Sequence, residues 1–273
     1  MEGWKRAPAA LLLAGLMLAS AAFEAPAATT LELGYEVEQF AYEELDEMMV
    51  TTMEETGTLH GPRARLRHTL SEKWTAGIDG RALSGQLHYD GATWAGQPRE
   101  SGTSDFLAEA RALIGPAIIR SESAEAVLYT GFGYRFWHNT IRGPGGYGRE
   151  VEYYYFPTII DLSSPVTPDS RIGFTFELDG LLRGVVRSHL SDVDNGSTDD
   201  ATNVQPSGMG VRMSIYYTSK VGARASLSVE PYVIIWHVQQ SNPDSVRTAG
   251  GRTLVAEPEN QTIEGGLAIS LKW

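Results

Sequence analysis

The sequence contains no cysteine among its 273 residues. Disulfide bonds, thiolate metal sites and a lipid-modified N-terminal cysteine are therefore excluded. A long apolar run is also missing, because the longest, at residues 9–22, falls short of the about 20 residues that a membrane-spanning helix needs. An excess of basic charge is missing too, since the formal net charge is −12, and this argues against nucleic acid or an anionic lipid surface as a partner.

The N-terminus has the composition of a secretory signal. Lys5 and Arg6 precede the apolar run, and small residues follow it at Ala25 and Ala27. We expect cleavage after Ala27, with Ala21 as the alternative, so that residues 1–27 form a removable signal and residues 28–273 a single exported domain. A membrane-anchoring helix is disfavoured by the shortness of the run.

The most regular pattern in the chain is its C-terminal segment, residues 263–273. Apolar residues or glycine alternate there with polar or small residues. With a period of two, the first set occupies one face of a strand: Ile263, Gly265, Leu267, Ile269, Leu271 and Trp273. The segment therefore predicts a β-strand with one apolar face that ends on an aromatic residue.

Similar segments recur along the whole chain. We predict about ten strands, near residues 31–42, 57–68, 74–88, 106–118, 126–138, 151–162, 171–187, 209–218, 223–238 and 262–273. The connections alternate between short and long, which is typical of an up-and-down transmembrane barrel with brief turns at one end and extended loops at the other. The fold prediction is thus all-β, a transmembrane antiparallel barrel of about ten strands, with eight as the alternative if one hairpin forms poorly.

Charged residues alternate with apolar ones in these strands, and they cannot face hydrocarbon, where a basic group costs roughly 2–4 kcal/mol at the midplane. We therefore expect them to point into the barrel. The predicted inward acids are Glu32, Glu36, Glu38, Asp79, Glu109, Glu152, Glu177, Asp179, Glu230 and Glu264. The predicted inward bases are Arg63, Arg65, Arg67, Arg81, Arg111, Arg135, Arg183, Arg212 and Lys272. A narrow ten-stranded barrel filled this way predicts a self-neutralising plug, with a narrow channel as the alternative.

Aromatic residues cluster near both ends of the predicted strands. Those at the short-turn end are Trp74, Phe174, Tyr217 and Trp273. Those at the long-loop end are Tyr42, Tyr89, Phe106, Phe136, Trp137, Tyr153 and Trp236. Two such bands match the aromatic girdles at the two membrane interfaces.

The leader, the rhythm of strands and loops, the segment 128–135 (LYTGFGYR) and the terminal Ile269-Ser270-Leu271-Lys272-Trp273 together resemble the small bacterial outer-membrane β-barrel superfamily. The resemblance implies an outer-membrane location, contact with outer-membrane lipid and lipopolysaccharide, and insertion by the barrel-assembly machinery. It implies an assembly signal at Leu267, Ile269, Leu271 and Trp273. It does not assign an activity, because one architecture serves many functions.

Histidines near the long-loop end raise the possibility of an enzyme. Omptin-like proteases use acidic residues and a histidine there, and His189-Leu190-Ser191 resembles the His-x-Ser pair of lipid A deacylases. The candidates are His88, Asp90, His189 and Asp192. From the strand pattern we expect His88 and His189 to point inward and His138 and His237 outward, so that the set does not converge.

Acidic residues dominate two of the predicted loops, at 43–55 and 192–200. The second loop departs from the calcium-binding EF-hand pattern, so we expect neither a metal site nor a cofactor. Divalent cations that bridge these carboxylates to lipopolysaccharide phosphates are the plausible chemistry. The sequence therefore favours a monomeric, closed structural or surface-binding barrel over a narrow channel or an outer-membrane hydrolase.

Overall fold

The computed structural model describes residues 29–92, 97–194 and 196–273. The predicted signal segment and its cleavage site lie outside these residues. Among the described residues, no helix has the length and apolar character needed to cross a membrane. The strands are β1 Thr29–Leu45, β2 Thr51–Thr69, β3 Trp74–Ala92, β4 Pro98–Arg120, β5 Glu125–Ile141, β6 Gly148–Thr167, β7 Ser170–Ser188, β8 Ala201–Gln205, β9 Gly208–Lys220, β10 Ser226–Val238, β11 Asp244–Thr248, β12 Gly251–Val255 and β13 Glu259–Lys272.

Eleven of these strands form one antiparallel sheet that closes on itself. The closing pairs are β1 with β13, where Tyr35 faces Ile269, and β6 with β7, where Ile159 faces Glu177. Strands β8 and β9 both pair with β7 and lie in line, interrupted only at residues 206–207, where Pro206 has no N–H to donate. They act as one barrel strand. The barrel therefore has ten strands, which confirms the predicted fold and excludes the eight-stranded alternative.

The two ends of the barrel differ. One end carries Thr29, Trp273 and the short connections 70–73, 121–124, 168–169 and 221–225, and we call it the turn end. The other, the loop end, carries residues 46–50, 142–147, 189–194, 196–200 and 239–258, and the last of these contains the β11–β12 hairpin. The strands reach further toward the loop end than the sequence predicts. Much of the predicted loops 43–56 and 89–105 is strand.

The outer face carries a belt of exposed apolar side chains. On β1 and β13 these are Leu31, Leu33, Tyr35, Val37, Ile263, Leu267, Ile269, Leu271 and Trp273. The belt runs from Trp273 to Ile263 on the last strand, which matches the about 9–11 residues that a tilted strand needs to cross a bilayer. This belt is the membrane-facing surface.

Because proline cannot donate to a ladder, the sequence predicts a bulge or a strand end near Pro62 in β2. The strand instead continues through Gly61-Pro62. The β2–β3 pairing is interrupted between His60 and Arg63 but keeps its register, so neither is present. Gly61 is required by a close approach, because a Cβ there would lie 2.0 Å from the carbonyl oxygen of Ala82. The prediction at this position is wrong. The chain accommodates the proline because residues 61 and 62 are not paired with β3.

Candidate functional site: a sealed barrel interior

The middle of the lumen is filled by arginines and carboxylates in direct contact. Arg81 lies at the centre and binds four carboxylates, with 2.8 Å to Glu38, 2.7 Å to Glu109, 2.6 Å to Glu264 and 3.4 Å to Glu36. Its side chain is only 7% exposed. Because removing such a group from water is costly, these partners must replace its hydration.

The contacts around Arg81 extend into one connected network across the barrel. Arg111 binds Asp79 at 2.8 Å, and Arg212 binds Glu109 at 2.6 Å. The members are Arg63, Arg65, Arg67, Arg81, Arg111, Arg135, Arg212, Glu36, Glu38, Asp79, Glu109, Glu177, Glu230 and Glu264. Arginines and acids are equal in number, so the formal charges of these ion-paired members cancel, while the buried Asp179 lies beside Glu177 outside the pairs. We call the network the charge layer.

Above the charge layer, toward the loop end, the lumen is filled by large apolar side chains. Phe40 stacks against Trp137 with ring centroids 5.2 Å apart, and Trp236 contacts Tyr155 at 5.2 Å and Tyr153 at 5.5 Å. We call this group the aromatic layer: Phe40, Tyr42, Met53, Leu59, Leu83, Leu87, Tyr89, Leu107, Trp137, Ile141, Val151, Tyr153, Tyr155, Val186, Ile234, Trp236 and Val238. Trp236, Leu59 and Leu107 are 0% exposed, so the layer is dry.

An inversion of polarity along the strands, clearest on β1, underlies the two layers. On β1 the inward residues change from Glu36 and Glu38 to Phe40 and Tyr42, while outside the apolar Val37 is followed by the exposed Gln39. Where the barrel crosses the bilayer, its outer wall must be apolar, and charged side chains lie in the lumen. Where the barrel extends beyond the bilayer, its outer wall meets water, and apolar side chains are buried in the lumen, as in a soluble protein. The aromatic layer therefore lies at the membrane border and above it.

A second polar cluster covers the aromatic layer at the loop end. Arg149 binds Glu44 at 2.5 Å, Glu55 at 3.3 Å and Glu257 at 3.5 Å, and its guanidinium lies over the ring of Tyr42 at 4.8 Å. Burial, followed by repulsion from Glu44, raises the pKa of the Glu257 carboxyl to about 7. One arginine thus faces three carboxylates, and protonation of Glu257 relieves the excess negative charge.

Below the charge layer the lumen opens into a cavity of about 400 Å³ at the turn end. Within the charge layer only a void of about 60 Å³ is present. Such a void holds at most a few water molecules. Among the described residues, therefore, the wide cavity stops at the charge layer.

Eight of the ten residues predicted for the lumen charge network point into the barrel: Glu109, Arg111, Arg135, Glu177, Asp179, Arg212, Glu230 and Glu264. Glu152 and Arg183 do not, and the prediction for these two is wrong. Glu152 shares the outer face with Tyr154, which donates to it at 2.8 Å, and binds Arg187 there. A β-bulge between Leu181 and Arg183 shifts the upper part of β7 by one residue, so Arg183 is exposed.

The predicted aromatic girdle at the loop end is also corrected. Phe106 and Phe136 lie on the outer face. Tyr42, Tyr89, Trp137, Tyr153 and Trp236 instead point inward into the aromatic layer. A signal for this was present in the sequence, because Trp137 alternates in step with the inward Arg135, and Tyr42 with Glu38.

The candidate catalytic residues do not form one site. His88 and Asp90 are exposed on the outer face of β3, so the predicted inward direction of His88 is wrong. His189 and Asp192 follow β7, with β4, β5 and β6 between the two pairs. A contact that the sequence did not reveal joins His189 to Asp200, at 3.2 Å from its Nδ1, while its Nε2 lies 3.7 Å from Glu150.

Held between two carboxylates, His189 has the environment of a surface ion pair. Among the described residues, no serine or threonine hydroxyl is hydrogen-bonded to His189. The pair formed by His189 and Asp200 therefore has no nucleophile in contact with it. No group of three or more histidine or acidic side chains in the described part of the chain is arranged to hold a metal ion.

The chain matches no protein-family model and no curated protein by sequence. Its structure is similar to that of the outer membrane protease OmpT from Escherichia coli, with a TM-score of 0.70 and 11% identity over 93% of this chain and 99% of that one. The transport unit of the E. coli autotransporter AIDA-I gives 0.45 and 10% over 95% of both chains. The Pseudomonas putida toluene transporter TodX gives 0.37 and 10% over 91% and 90%. The likeness to OmpT and the exposed apolar belt together give this chain the fold of the bacterial outer-membrane β-barrel proteins.

Proposed function

We propose that this protein is a closed outer-membrane barrel, a structural or surface-binding scaffold that does not conduct. The aromatic layer carries the proposal, since it fills the barrel with side chains at or near 0% exposure, directly above a neutral charge layer. A hydrated ion would have to displace both. Its immediate partners in this proposal are outer-membrane lipid and lipopolysaccharide around the apolar belt, with the loop end facing the environment.

Two features of the layers support closure over a narrow pore. Both are built from rigid strands that face one another across the lumen, not from a loop folded inward that could swing away. Opening the charge layer would also leave buried charges without partners, which costs several kcal/mol for each ion. A water-filled channel requires side chains that are solvated, and those of the aromatic layer are not.

The experiment is planar-bilayer conductance of the refolded protein. We expect no steady current from the wild type. A triple variant, Phe40→Ala, Trp137→Ala and Trp236→Ala, removes the largest rings from the aromatic layer and should produce small, flickering currents while the charge layer still obstructs the path. Large steady currents from the wild type would replace the closed barrel by the narrow-channel alternative.

A matched control uses aromatic residues of the outer face. Phe106→Ala, Phe132→Ala and Phe136→Ala remove the same number of rings from the lipid side, where lipid refills the space. This variant should stay silent. Equal currents from both variants would mean that general destabilisation, and not loss of the aromatic layer, opens the barrel.

A further inference from the structure

The cavity at the turn end is lined by basic side chains to an unusual degree. Six of the 22 lysines and arginines of the chain line it, but only three of its 34 acidic residues do. The basic residues are Arg65, Arg67, Arg120, Arg171, Arg224 and Lys272. In a chain of net charge −12, this concentrates positive potential in one concave site, where low-dielectric walls strengthen it.

Several of these basic groups are available to a ligand. Arg120 binds Glu125 at 3.0 Å, but Arg171 donates only to the hydroxyl of Ser163, also at 3.0 Å. Within the described part of the chain, Arg224 and Lys272 have neither an ion pair nor a side-chain hydrogen bond. The acids Glu32 and Asp161 also line the cavity, and Glu32 faces Lys272 across the strands. Among the described residues, Arg171 and Arg224 are therefore the cavity arginines without a carboxylate partner.

The roof of the cavity is fixed. Arg65 binds both oxygens of Glu230, at 2.8 and 2.9 Å, and Arg67 binds Asp79. Their side chains stay 23% and 25% exposed and line the cavity, and each guanidinium keeps N–H donors beyond those that its carboxylate uses. A guanidinium held in this way offers donors in a fixed plane, which suits the oxygens of a phosphate group.

Hydroxyl groups complete the lining. Thr30, Thr69, Thr75, Ser163, Thr218, Ser226, Ser228, Tyr129 and Tyr216 all face the cavity. Hydroxyl groups can both accept and donate hydrogen bonds, whereas the arginines and the lysine only donate them. Together these groups suit a ligand with an anionic group and polar substituents. The volume of about 400 Å³ is that of a small-molecule pocket.

We propose that this cavity is a binding site for a small phosphate-bearing molecule, which enters from the turn end of the barrel. Arg171 and Arg224 at the mouth capture the anion, and the remaining N–H donors of Arg65 and Arg67 bind it at the roof. The site is separated from the loop end by the charge layer, so binding does not require passage through the barrel.

The test is calorimetric titration of the refolded full chain in zwitterionic detergent, with inorganic phosphate, glucose 6-phosphate and glucose as probes at fixed ionic strength. We expect both phosphates to bind and glucose not to bind. Arg171→Gln with Arg224→Gln should weaken phosphate binding by at least tenfold. Arg183→Gln is the matched control, because Arg183 is exposed on the outer wall and should have no effect.

Two further arms separate the sources of the phosphate group. Vesicles with phosphatidylglycerol that compete with glucose 6-phosphate would assign the site to a lipid headgroup; competition by glucose 6-phosphate alone would assign it to a soluble ligand. Either result supports a phosphate site. Unchanged binding in the double variant, or equal displacement by chloride, would overturn the proposal, since it would show only a counterion atmosphere.

Discussion

At the scale of single residues, the interior depends on arginines that each serve more than one acid. Arg111 binds Asp79 and Glu177 from opposite walls, and Arg81 binds four carboxylates from β1, β4 and β13. Each such arginine ties several strands together, so removing it affects more than one wall. Outer pairs such as Lys220 with Asp169, whose side chains are 58% and 70% exposed, lie in solvent and contribute little.

We expect Arg111→Ala to lower the free energy of unfolding by about 3–5 kcal/mol, because Asp79 and Glu177 would be left partly unpaired in a dry interior. Lys220→Ala should cost about 1 kcal/mol or less, since its ion pair with Asp169 is exposed. Ile269→Ala on the lipid face should likewise cost less than Arg111→Ala. Urea midpoints in liposomes measure all three, and similar shifts for Arg111→Ala and Lys220→Ala would count against the charge layer as a buried network.

Titration of Glu257 makes the stability of the loop end depend on pH. Its folded pKa of about 7 lies above the ordinary value of 4.5, so the folded state binds its proton more tightly than the unfolded state does. The resulting stability is present in full below about pH 4.5 and is lost as the pH rises through 7. Hydrogen-exchange protection of the Ser241 amide, which donates to the Glu257 carbonyl at 3.0 Å, should fall over this range.

The matched variant for this prediction is Glu257→Gln, which keeps an acceptor for the hydroxyl of Tyr42, 3.0 Å away, but cannot titrate. It should show a smaller fall in protection between pH 5 and 8, because Glu55 in the same cluster, whose pKa burial also raises to about 7, still titrates. Glu125→Gln at the turn end should behave as the wild type does. A fall in protection that persists unchanged in Glu257→Gln would assign the pH dependence to another group.

At the scale of elements, the last strand closes the barrel through its final residue. The N–H of Trp273 donates to the Leu31 carbonyl at 2.8 Å, and the Leu31 N–H donates back to the Trp273 carbonyl at 3.1 Å. The side chains of Leu267, Ile269, Leu271 and Trp273 are exposed on one outer face. The strand thus presents an apolar outer face to lipid, or to an assembly machinery that would recognise it.

We expect deletion of Trp273 to prevent outer-membrane assembly and leave degraded or periplasmic protein, because it removes the last two hydrogen bonds of the β1–β13 ladder and the end of the proposed signal. Trp74→Ala, at another exposed tryptophan of the turn end, should assemble normally. Heat-modifiable migration on gels reports folding of both variants. Normal migration of the chain without Trp273 would rule out the terminal residue as an assembly signal.

The sequence predicted the strands well wherever alternation alone determines the faces. Period two placed Glu36, Arg111 and Ile269 on the correct faces. It failed at Arg183, because the bulge in β7 adds a residue that leaves no mark in the apolar pattern. The alternation also cannot distinguish an aromatic residue that faces lipid from one that faces a dry lumen. The two can be told apart when the position of the aromatic residue is compared with that of a nearby charge: Trp137 lies two residues from the inward Arg135 and therefore shares its face.

The candidate sites were less accessible to sequence reasoning. The contact between His189 and Asp200 crosses a loop, and the Arg149 cluster joins Glu44, Glu55 and Glu257 from three distant segments. Such contacts depend on the order of strands around the barrel and on their stagger. Neither quantity can be read from local patterns.

At the scale of the whole molecule, three zones succeed one another along the lumen: a basic cavity at the turn end, the neutral charge layer, and the aromatic layer at the loop end. Their order follows from the surroundings of the outer wall. Charges collect inside the apolar belt, and apolar side chains collect inside the wall that extends beyond it. The barrel is thus a membrane protein in its lower part and resembles a soluble β-barrel in its upper part.

The most direct test of this arrangement is a thiol-accessibility profile, for which a chain without cysteine provides an empty background. Single variants Ser226→Cys in the cavity, Leu59→Cys in the aromatic layer and Thr58→Cys on the outer wall would be exposed to a small, charged, membrane-impermeant maleimide in proteoliposomes. We predict rapid labelling at 226 and 58 and none at 59 from either side of the membrane. Labelling of residue 59 as fast as residue 226 would show water through the aromatic layer and contradict a sealed barrel.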